Sequence, residues 1–327
     1  MNGNKTSVGS RIKWFLYGLK IKIFGGEKKN GPTKPRNKKA GQTVFLFFFM
    51  LFPVLQFLVF YVGVNVNSIK LAFVKYEGNK ASFAAFDNFD RVLKAIFVNG
   101  DLRLAVKNST IQFLTGLLIG MPVQIAVAYV LFKKVPLAGA YKVLLFMPNI
   151  LSSLVFVICT RVLLFDALPT VFHGFMVTMY DSSSFYAVLI FGMWMNFAGG
   201  LVIYLSAMCS ISKDILEYGE LENMSSAKEL WYVVLPSIFP TIVTYIIVAI
   251  AGFFTNYGHF YSFYGASGTG KKPFDTLGYN FFVKVSNSND PKDHTFAAAG
   301  GVLFTLVVAP ITLITKYLLE KYGPSED

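Results

Sequence analysis

A glycine-rich run near the C-terminus is the part of the sequence that comes nearest to a catalytic motif. Gly265-Ala-Ser-Gly-Thr-Gly-Lys271 follows the phosphate-binding loop pattern except at its last position. That position normally holds the Ser or Thr that binds Mg²⁺, and a buried strand normally precedes the loop. Here the residue is Lys272 and no strand is predicted before it. We therefore interpret the run as an outer loop rather than an ATP site.

The histidines and cysteines form no metal-binding or nucleophilic pattern. His173, His259 and His294 are scattered between apolar stretches, and Cys159 and Cys209 lie in or at the end of such stretches. Ligand spacing is missing, and thiols in apolar surroundings are unreactive. We predict that this chain is not an enzyme and binds no metal or cofactor.

Aromatic and amide side chains within the long apolar stretches could bind a sugar. Trp194 and Asn196 share one stretch, and Asn256 and Tyr257 lie near the end of another. Rings stack on the C–H faces of sugars, and amides bond to their hydroxyl groups. Helix packing explains these residues as well, and Trp194 also fits the aromatic belt of a lipid interface. Arg161, the one charge well inside a stretch, fits a cavity or a snorkelling side chain.

The composition is that of a membrane protein. The chain has 327 residues, of which 54% are hydrophobic and 15% charged, with a mean hydropathy of +0.52. A soluble domain has about 25% charged residues, so disorder and a disulfide scaffold are both excluded. The formal net charge is +12, and residues 1–41 supply +10 of it, with eleven Lys and Arg against one Glu. A basic arm beside apolar spans favours contact with anionic lipid over nucleic acid.

The elements that must position these residues are six apolar helices. A span needs about 20 apolar residues, and the sequence therefore predicts an all-α integral membrane fold with a basic arm at 1–41 and a transmembrane domain at 42–327. The first span is expected to be retained rather than cleaved as a signal peptide. The predicted spans are 44–66, 110–132, 143–165, 185–208, 237–257 and 295–319.

The positions of the basic residues predict the orientation in the membrane. The basic arm places the N-terminus in the cytoplasm, and six crossings return the C-terminus to the same side. Lys133, Lys134 and Lys142 then flank a cytoplasmic turn. An interfacial helix is predicted at 9–24, although its charges do not lie on one face.

An acidic segment at 211–236 connects the fourth and fifth spans. Its apolar residues recur at helical spacing, with an interruption at Asn223 and a stop at Pro236, so it predicts two short helices in an elbow. From Ser210 to Pro236 it carries five acids and two Lys, a net charge of −3. Short cytoplasmic loops are normally positive, so this segment suits docking into a partner, although a solvated amphipathic loop would look similar.

The spacing within this segment resembles the EAA loop of permease subunits of type I ABC importers. That loop has a Glu, a Gly six residues later, and a Leu-Pro pair whose proline lies thirteen residues after the Gly. Here Glu217, Asn223 and Leu235–Pro236 have this spacing, with Glu222 as the acid before the turn. Asn replaces the usual turn Gly, and it is the residue that best tolerates a left-handed conformation after Gly.

The resemblance is greatest to sugar permeases of the maltose type, and it implies a function and partners. It implies an all-α six-span fold that imports a carbohydrate, with Trp194, Asn196, Asn256 and Tyr257 as sugar ligands. It also implies a second homologous permease, two cytoplasmic ATPase subunits that bind ATP and Mg²⁺, and an extracellular or periplasmic substrate-binding protein. The elbow residues that would couple transport to ATP hydrolysis are Glu217, Glu222, Asn223, Leu235 and Pro236.

Three alternatives remain open from the sequence. The chain could be a permease for another solute in the same importer type. It could be a self-sufficient secondary transporter or channel, although that class usually has internal repeats and ionisable residues along its path. It could also be a membrane scaffold that uses the basic arm for recruitment.

Overall fold

The computed structural model of the chain describes residues 38–78, 80–171, 181–266 and 272–324. Most of the basic arm, the predicted interfacial helix at 9–24, His173 and residues 267–271 of the glycine-rich run lie outside these ranges. The chain divides into two compact units, one ending at Gly63 and one beginning at Val64.

The first unit contains an apolar helix. Helix α1 (Lys38–Gln56) continues as a π-helical segment, Phe57–Gly63. Its large apolar side chains, among them Phe52 and Phe60, are exposed. A helix that is apolar on all sides suits direct contact with lipid tails, because its backbone groups are satisfied internally.

The second unit contains the remaining helices and one hairpin. Between the first and second spans, strands Val74–Glu77 and Lys80–Phe83 pair antiparallel, with Glu77 opposite Lys80. Among the described residues, this hairpin is the whole of the sheet structure. The elements in chain order are α2 (Val64–Ala72), β1 (Val74–Glu77), β2 (Lys80–Phe83), α3 (Asp87–Phe97), α4 (Arg103–Thr115), α5 (Met121–Phe132), α6 (Ala138–Ile150), α7 (Ser153–Arg161), α8 (Leu168–Val171), α9 (Ser182–Cys209), α10 (Lys213–Leu221), α11 (Ser226–Glu229), α12 (Leu235–Ser237), α13 (Phe239–Ala251), α14 (Phe260–Tyr264), α15 (Leu277–Asn287) and α16 (Pro291–Tyr322).

Three π-helical segments join neighbouring helices in the second unit. Gly116–Gly120 connects α4 to α5, Val162–Ala167 connects α7 to α8, and Leu230–Val234 connects α11 to α12. The first two make each pair of helices one continuous apolar element of membrane-spanning length. The all-α membrane fold predicted from the sequence is therefore confirmed.

Five helices in the described ranges are long and apolar enough to cross a membrane, and a bent pair raises the number to six. The bent pair joins Ser226–Ser237 to Phe239–Ala251 at an angle of 69°. The five helices are Gly41–Ala72, Arg103–Phe132, Ser153–Val171, Ser182–Cys209 and Pro291–Tyr322.

Two span boundaries differ from the sequence-based ones. The predicted span 143–165 is broken at Leu151 and Ser152, which have extended backbone, and the long apolar helix there is Ser153–Val171. The predicted span 237–257 contains α13, which ends at Ala251. Both differences have the same cause, because apolar residues on either side of a short turn keep the average hydropathy high across it.

Three apolar cores hold the second unit together. The first joins α7, the N-terminal half of α9, α14 and α15, and it is rich in aromatic residues such as Phe185 and Phe263. The second joins α5, the C-terminal half of α9 and the segment 230–242. The third lies among α2, α3, α4, α15 and α16. Helix α9 thus contributes its two halves to two different cores.

Candidate functional site

The segment predicted to be an elbow consists of two helical arms. The first arm is α10, and the second runs from Ser226 to Ser237 through α11, a π-helical segment and α12. Asn223 lies between them at φ 52°, in the left-handed region that Asn tolerates better than most residues. The Met224 N–H donates to the Gly219 carbonyl at 3.2 Å and ends the first arm. The predicted two-helix elbow with a left-handed turn at Asn223 is confirmed.

A groove lies between the two arms. Its volume is about 410 Å³, and the arms come close at Gly219, where an added Cβ would lie 3.8 Å from Val233 Cγ2. Asp214 of the first arm and Tyr232 and Pro236 of the second are among the residues that line it. A groove lined mainly by apolar residues can receive apolar side chains of a partner, and the carboxylate of Asp214 would favour a basic group beside them.

The inner face of the elbow packs on the second core. Leu230 and Leu235 contact the cluster that contains Ile125 and Leu201. The Tyr129 hydroxyl donates to the Ser226 carbonyl at 2.9 Å. These contacts attach the second arm to α5 and α9.

One of the five acids does not belong to the acidic surface that the sequence suggested. Glu229 is only 5% exposed, and its Oε2 lies 2.6 Å from Lys133 Nζ. A carboxylate inside protein is retained when a cation neutralises it, so Glu229 faces inward to α5. Asp214, Glu217 and Glu222 remain exposed. The predicted coupling residues Leu235 and Pro236 are half-buried, and Asn223 is exposed.

The predicted sugar ligands on α9 already have contacts within the chain. Trp194 is 48% exposed, and its ring meets that of Phe156 edge to face at a centroid distance of 5.4 Å. Asn196 Nδ2 donates to the Gly192 carbonyl at 2.8 Å. The backbone carbonyl of Asn196 accepts a long hydrogen bond of 3.5 Å from Gln124 Nε2. About half of the Trp194 side chain thus remains exposed, and the amide nitrogen of Asn196 is used within its own helix.

The other two predicted ligands lie on the turn after α13. Asn256 Oδ1 accepts a hydrogen bond from the Gly258 N–H at 2.9 Å, and Gly258 has φ 52°. The Tyr257 ring stacks on that of Phe282 at 4.7 Å and is 40% exposed. The Asn256 amide nitrogen and the Tyr257 hydroxyl are the groups in this turn that could bind a solute.

The structure brings the two pairs to neighbouring positions but not into contact. Within the described ranges no hydrogen bond or ring contact joins Trp194 or Asn196 to Asn256 or Tyr257. The connection runs through His259, whose ring meets Phe191 at 5.2 Å.

Two residues at this site were not assigned to it from the sequence. His259 is partly buried against α9, and burial lowers its pKa, so it is a neutral hydrogen-bonding group at neutral pH. Gln124 occupies the space that a Cβ on Gly200 would need, so this amide of α5 packs against α9. The only sequence signal for either was a polar residue within or beside an apolar span.

A buried polar cluster supports the turn. Asp275 and Asn280 are fully or almost fully buried, and Asn280 Nδ2 donates to Asp275 Oδ2 at 2.8 Å. Asn108 Nδ2 on α4 donates to the Pro273 and Asp275 carbonyls, both at 2.8 Å. Burial raises the pKa of the Asp275 carboxyl to about 7, and the Asn280 bond and the nearby Lys284 only partly offset this. Gly278 lies so close to residues 255 and 256 that a Cβ would fall 2.7 Å from the Asn256 carbonyl carbon.

These features define an integral membrane protein of the permease class: a bundle of membrane-length helices with a grooved, acidic elbow between two of them. The comparisons identify the family. Residues 36–323 match the family described as binding-protein-dependent transport system inner membrane component. The chain belongs to this family, so the resemblance to ABC importer permeases is confirmed.

Individual relatives and one solved structure agree with this. The arabinooligosaccharides transport system permease protein AraP of Halalkalibacterium halodurans is 20% identical over 81% of this chain and 84% of its own length. The multiple sugar-binding transport system permease protein MsmF of Streptococcus mutans is 20% identical over 88% of this chain and 98% of its own. A chain of a bacterial alginate ABC transporter, in complex with an alginate pentasaccharide-bound periplasmic protein, aligns with a TM-score of 0.68 at 17% identity. That alignment covers 88% of this chain and 98% of the other.

Proposed function

We propose that this permease imports a carbohydrate, an oligo- or polysaccharide, and is driven by ATP hydrolysis in separate subunits. The observation that carries the proposal is the elbow at 213–237, an acidic, grooved pair of helices held between α9 and α13. The relatives named for arabinooligosaccharides and multiple sugars support a carbohydrate as the solute.

The proposed assembly contains partners on both sides of the membrane. A second homologous permease would complete the path, and two cytoplasmic ATPase subunits, which bind the ATP and Mg²⁺, would dock on the elbow. A periplasmic or extracellular binding protein would deliver the sugar, as supported by the complex containing an alginate-bound periplasmic protein. Both termini of this chain would be cytoplasmic in a bacterial plasma membrane.

The residues fall into two proposed groups. Glu217, Glu222 and Asn223, with Leu235 and Pro236, would transmit movement of the ATPase subunits to the bundle. Trp194, Asn196, Asn256 and Tyr257 would contact the sugar. The chemistry would be binding and release, and alternating access would follow from movement of helix groups that the nucleotide state controls.

Co-purification tests the assembly, and substitution of Glu217 tests the coupling. We expect an ATPase to co-purify with the tagged chain from native membranes. Glu217→Ala should reduce ATP hydrolysis that depends on transport, because it removes an exposed charge of the docking elbow. Glu320→Ala is the matched control, because Glu320 is also an exposed acid, at the C-terminal end of α16. Unaltered transport-coupled hydrolysis in Glu217→Ala would exclude the coupling role.

Uptake of a labelled oligosaccharide panel tests the sugar contacts. Trp194→Ala should lower uptake through lost ring stacking, whereas Phe97→Ala, at an exposed aromatic residue of α3, should not. Asn256→Asp keeps the oxygen that accepts from Gly258 and replaces only the amide nitrogen. It should therefore weaken sugar binding while leaving the turn intact. Normal uptake by Trp194→Ala and Asn256→Asp would remove these positions from the site.

A further inference from the structure

The ion pair between Lys133 and Glu229 differs from the exposed ion pairs of the chain. The Lys133 side chain is 33% exposed and the Glu229 side chain 6%. In the helical pairs Lys94–Asp90 and Lys316–Glu320 every partner is more than half exposed. Exposed ion pairs contribute little to folding stability, whereas removing the cation beside a buried carboxylate is strongly destabilising. Lys133 and Glu229 are therefore held together wherever the second arm of the elbow is folded.

A second contact lies one helical turn away. The Tyr129 hydroxyl donates to the Ser226 carbonyl at 2.9 Å and also lies close to the Glu229 carboxylate. Tyr129 and Lys133 are four residues apart, on one face of the end of α5, and Ser226 and Glu229 are the two ends of α11. Two attachments fix both the position and the rotation of α11 relative to α5, which one contact could not do.

Apolar residues also pack between the second arm and α5. Leu230 and Leu235 of the second arm pack on the core formed with Ile125, Ala128 and Leu131 of α5. Leu230 directly follows Glu229 in the chain, and Leu131 lies two residues before Lys133, so the ion pair lies beside this core. Apolar surroundings lower the local dielectric constant and strengthen the attraction.

The helix that ends at Phe132, directly before Lys133, also reaches the predicted sugar site. The continuous helix Arg103–Phe132 has 30 residues and is therefore about 45 Å long. Gln124 donates to the Asn196 carbonyl, and Gln112 Nε2 lies 3.0 Å from the Cβ position of Gly258, next to Tyr257. Asn108, near its other end, holds the Pro273 and Asp275 carbonyls. One helix thus contacts the elbow, Asn196 and the residue that follows Tyr257.

We propose that the Lys133–Glu229 ion pair is the joint through which movement of the elbow reaches the helix 103–132 and, through it, the predicted sugar site. Glu229 is a positioning residue, because it acts through Lys133 and does not face the partner. The inference rests on the proposed coupling function of the elbow.

The test measures whether the second arm and the helix 103–132 move as one body. Spin labels are placed at the exposed residues Trp231 and Val123 after replacement of Cys159 and Cys209 by Ser. The complex, purified with its ATPase in nanodiscs, is measured without nucleotide and after trapping with ATP and vanadate. We expect one narrow distance between the labels in both states.

Four variants separate positioning from folding. Glu229→Gln and Lys133→Met should broaden the distance distribution, make it depend on nucleotide, and lower ATP-driven uptake about fivefold or more, as for other coupled sites. The exchanged pair Lys133→Glu with Glu229→Lys should restore the narrow distance. Lys134→Met, at the exposed neighbouring lysine, should behave as the wild type.

The outcomes distinguish this inference from the proposed function. A narrow, nucleotide-independent distance in assembled Glu229→Gln, with normal uptake, overturns the joint while Glu217→Ala still decides the coupling role of the elbow. Failure of the exchanged pair to restore the distance, although it assembles, also overturns it. If no ATPase co-purifies with the wild-type chain, the proposed function fails and the inference fails with it.

Discussion

Two buried carboxylates lie near opposite ends of the helix 103–132, and they have different polar partners. Glu229, at the elbow, has a lysine nitrogen 2.6 Å away. Asp275, near Asn108, has an amide donor at 2.8 Å and is fully buried. The elbow end is therefore fastened by opposite charges, whereas the other end is fastened by neutral amides around a carboxyl that holds its proton up to about pH 7. The elbow end thus depends on the attraction between two charges, whereas the raised pKa of Asp275 makes the other end sensitive to proton concentration near pH 7.

The largest expected effect is on the pH dependence of stability, and it comes from Asp275. The folded-state pKa of its carboxyl is about 7, against 3.8 for an unperturbed Asp, so the folded state binds the proton more tightly than the unfolded state does. Its contribution to stability is therefore greatest below about pH 4 and falls as pH rises to about 7. The loss is on the order of 4 kcal/mol at most.

Thermal unfolding in detergent from pH 4 to pH 8 measures this effect. Asp275→Asn should remove the fall in stability with pH and should be more stable than the wild type at pH 8. Asp87→Asn, at an exposed acid of α3, should retain the wild-type dependence. An unchanged pH profile in Asp275→Asn would contradict the assignment.

A smaller effect tests the packing that supports the turn at 255–258. Gly278→Ala would place a methyl group 2.7 Å from backbone atoms of Asn256, and overpacking of this kind typically costs about 1–3 kcal/mol. Folded yield and melting temperature should both drop. Gly301→Ala is the matched control in α16, where nothing lies within 4 Å of the new Cβ. It should stabilise the helix by roughly 0.5–1 kcal/mol, and equal melting temperatures for the two variants would refute the close packing.

The smallest effect concerns the turn of the elbow. Asn223 has φ 52°, which costs a β-branched residue about 1–2 kcal/mol. Asn223→Val should therefore lower the melting temperature and loosen the two arms, whereas Asn223→Gly should match or exceed the wild type. Limited proteolysis of the elbow measures the loosening. Greater protease resistance in Asn223→Val would show that this turn does not set the geometry of the elbow.

The elbow was predictable because local chemistry determines it. Asn223 interrupts a helical pattern, and prolines follow at 236 and 240, which are signals that act within a few residues. The inward orientation of Glu229 was not predictable, because its partner Lys133 lies almost a hundred residues earlier. The sequence showed Lys133 only as a basic residue in a short loop.

The break within the third predicted span shows a different limit. Hydropathy is uniform from 143 to 165, so the span appeared continuous. The local signals were Pro148 and the pair Ser152–Ser153, and these are where α6 ends and α7 begins.

Whether four residues from two spans form one sugar site depends on how α9 and the 255–258 turn pack together. Such packing depends on long-range contacts that hydropathy and periodicity do not contain.

The 69° bend at Ile238 has a mechanical consequence for the second arm. The arm runs for about 18 Å from Ser226 to Ser237, and its attachments to Tyr129 and Lys133 lie in its first turn. If the arm were attached only at Ile238, it could rotate about this bend without moving the other helices. The arm is attached near Ser226 as well as at Ile238. Under the proposed coupling, displacement of the arm would therefore also displace α5.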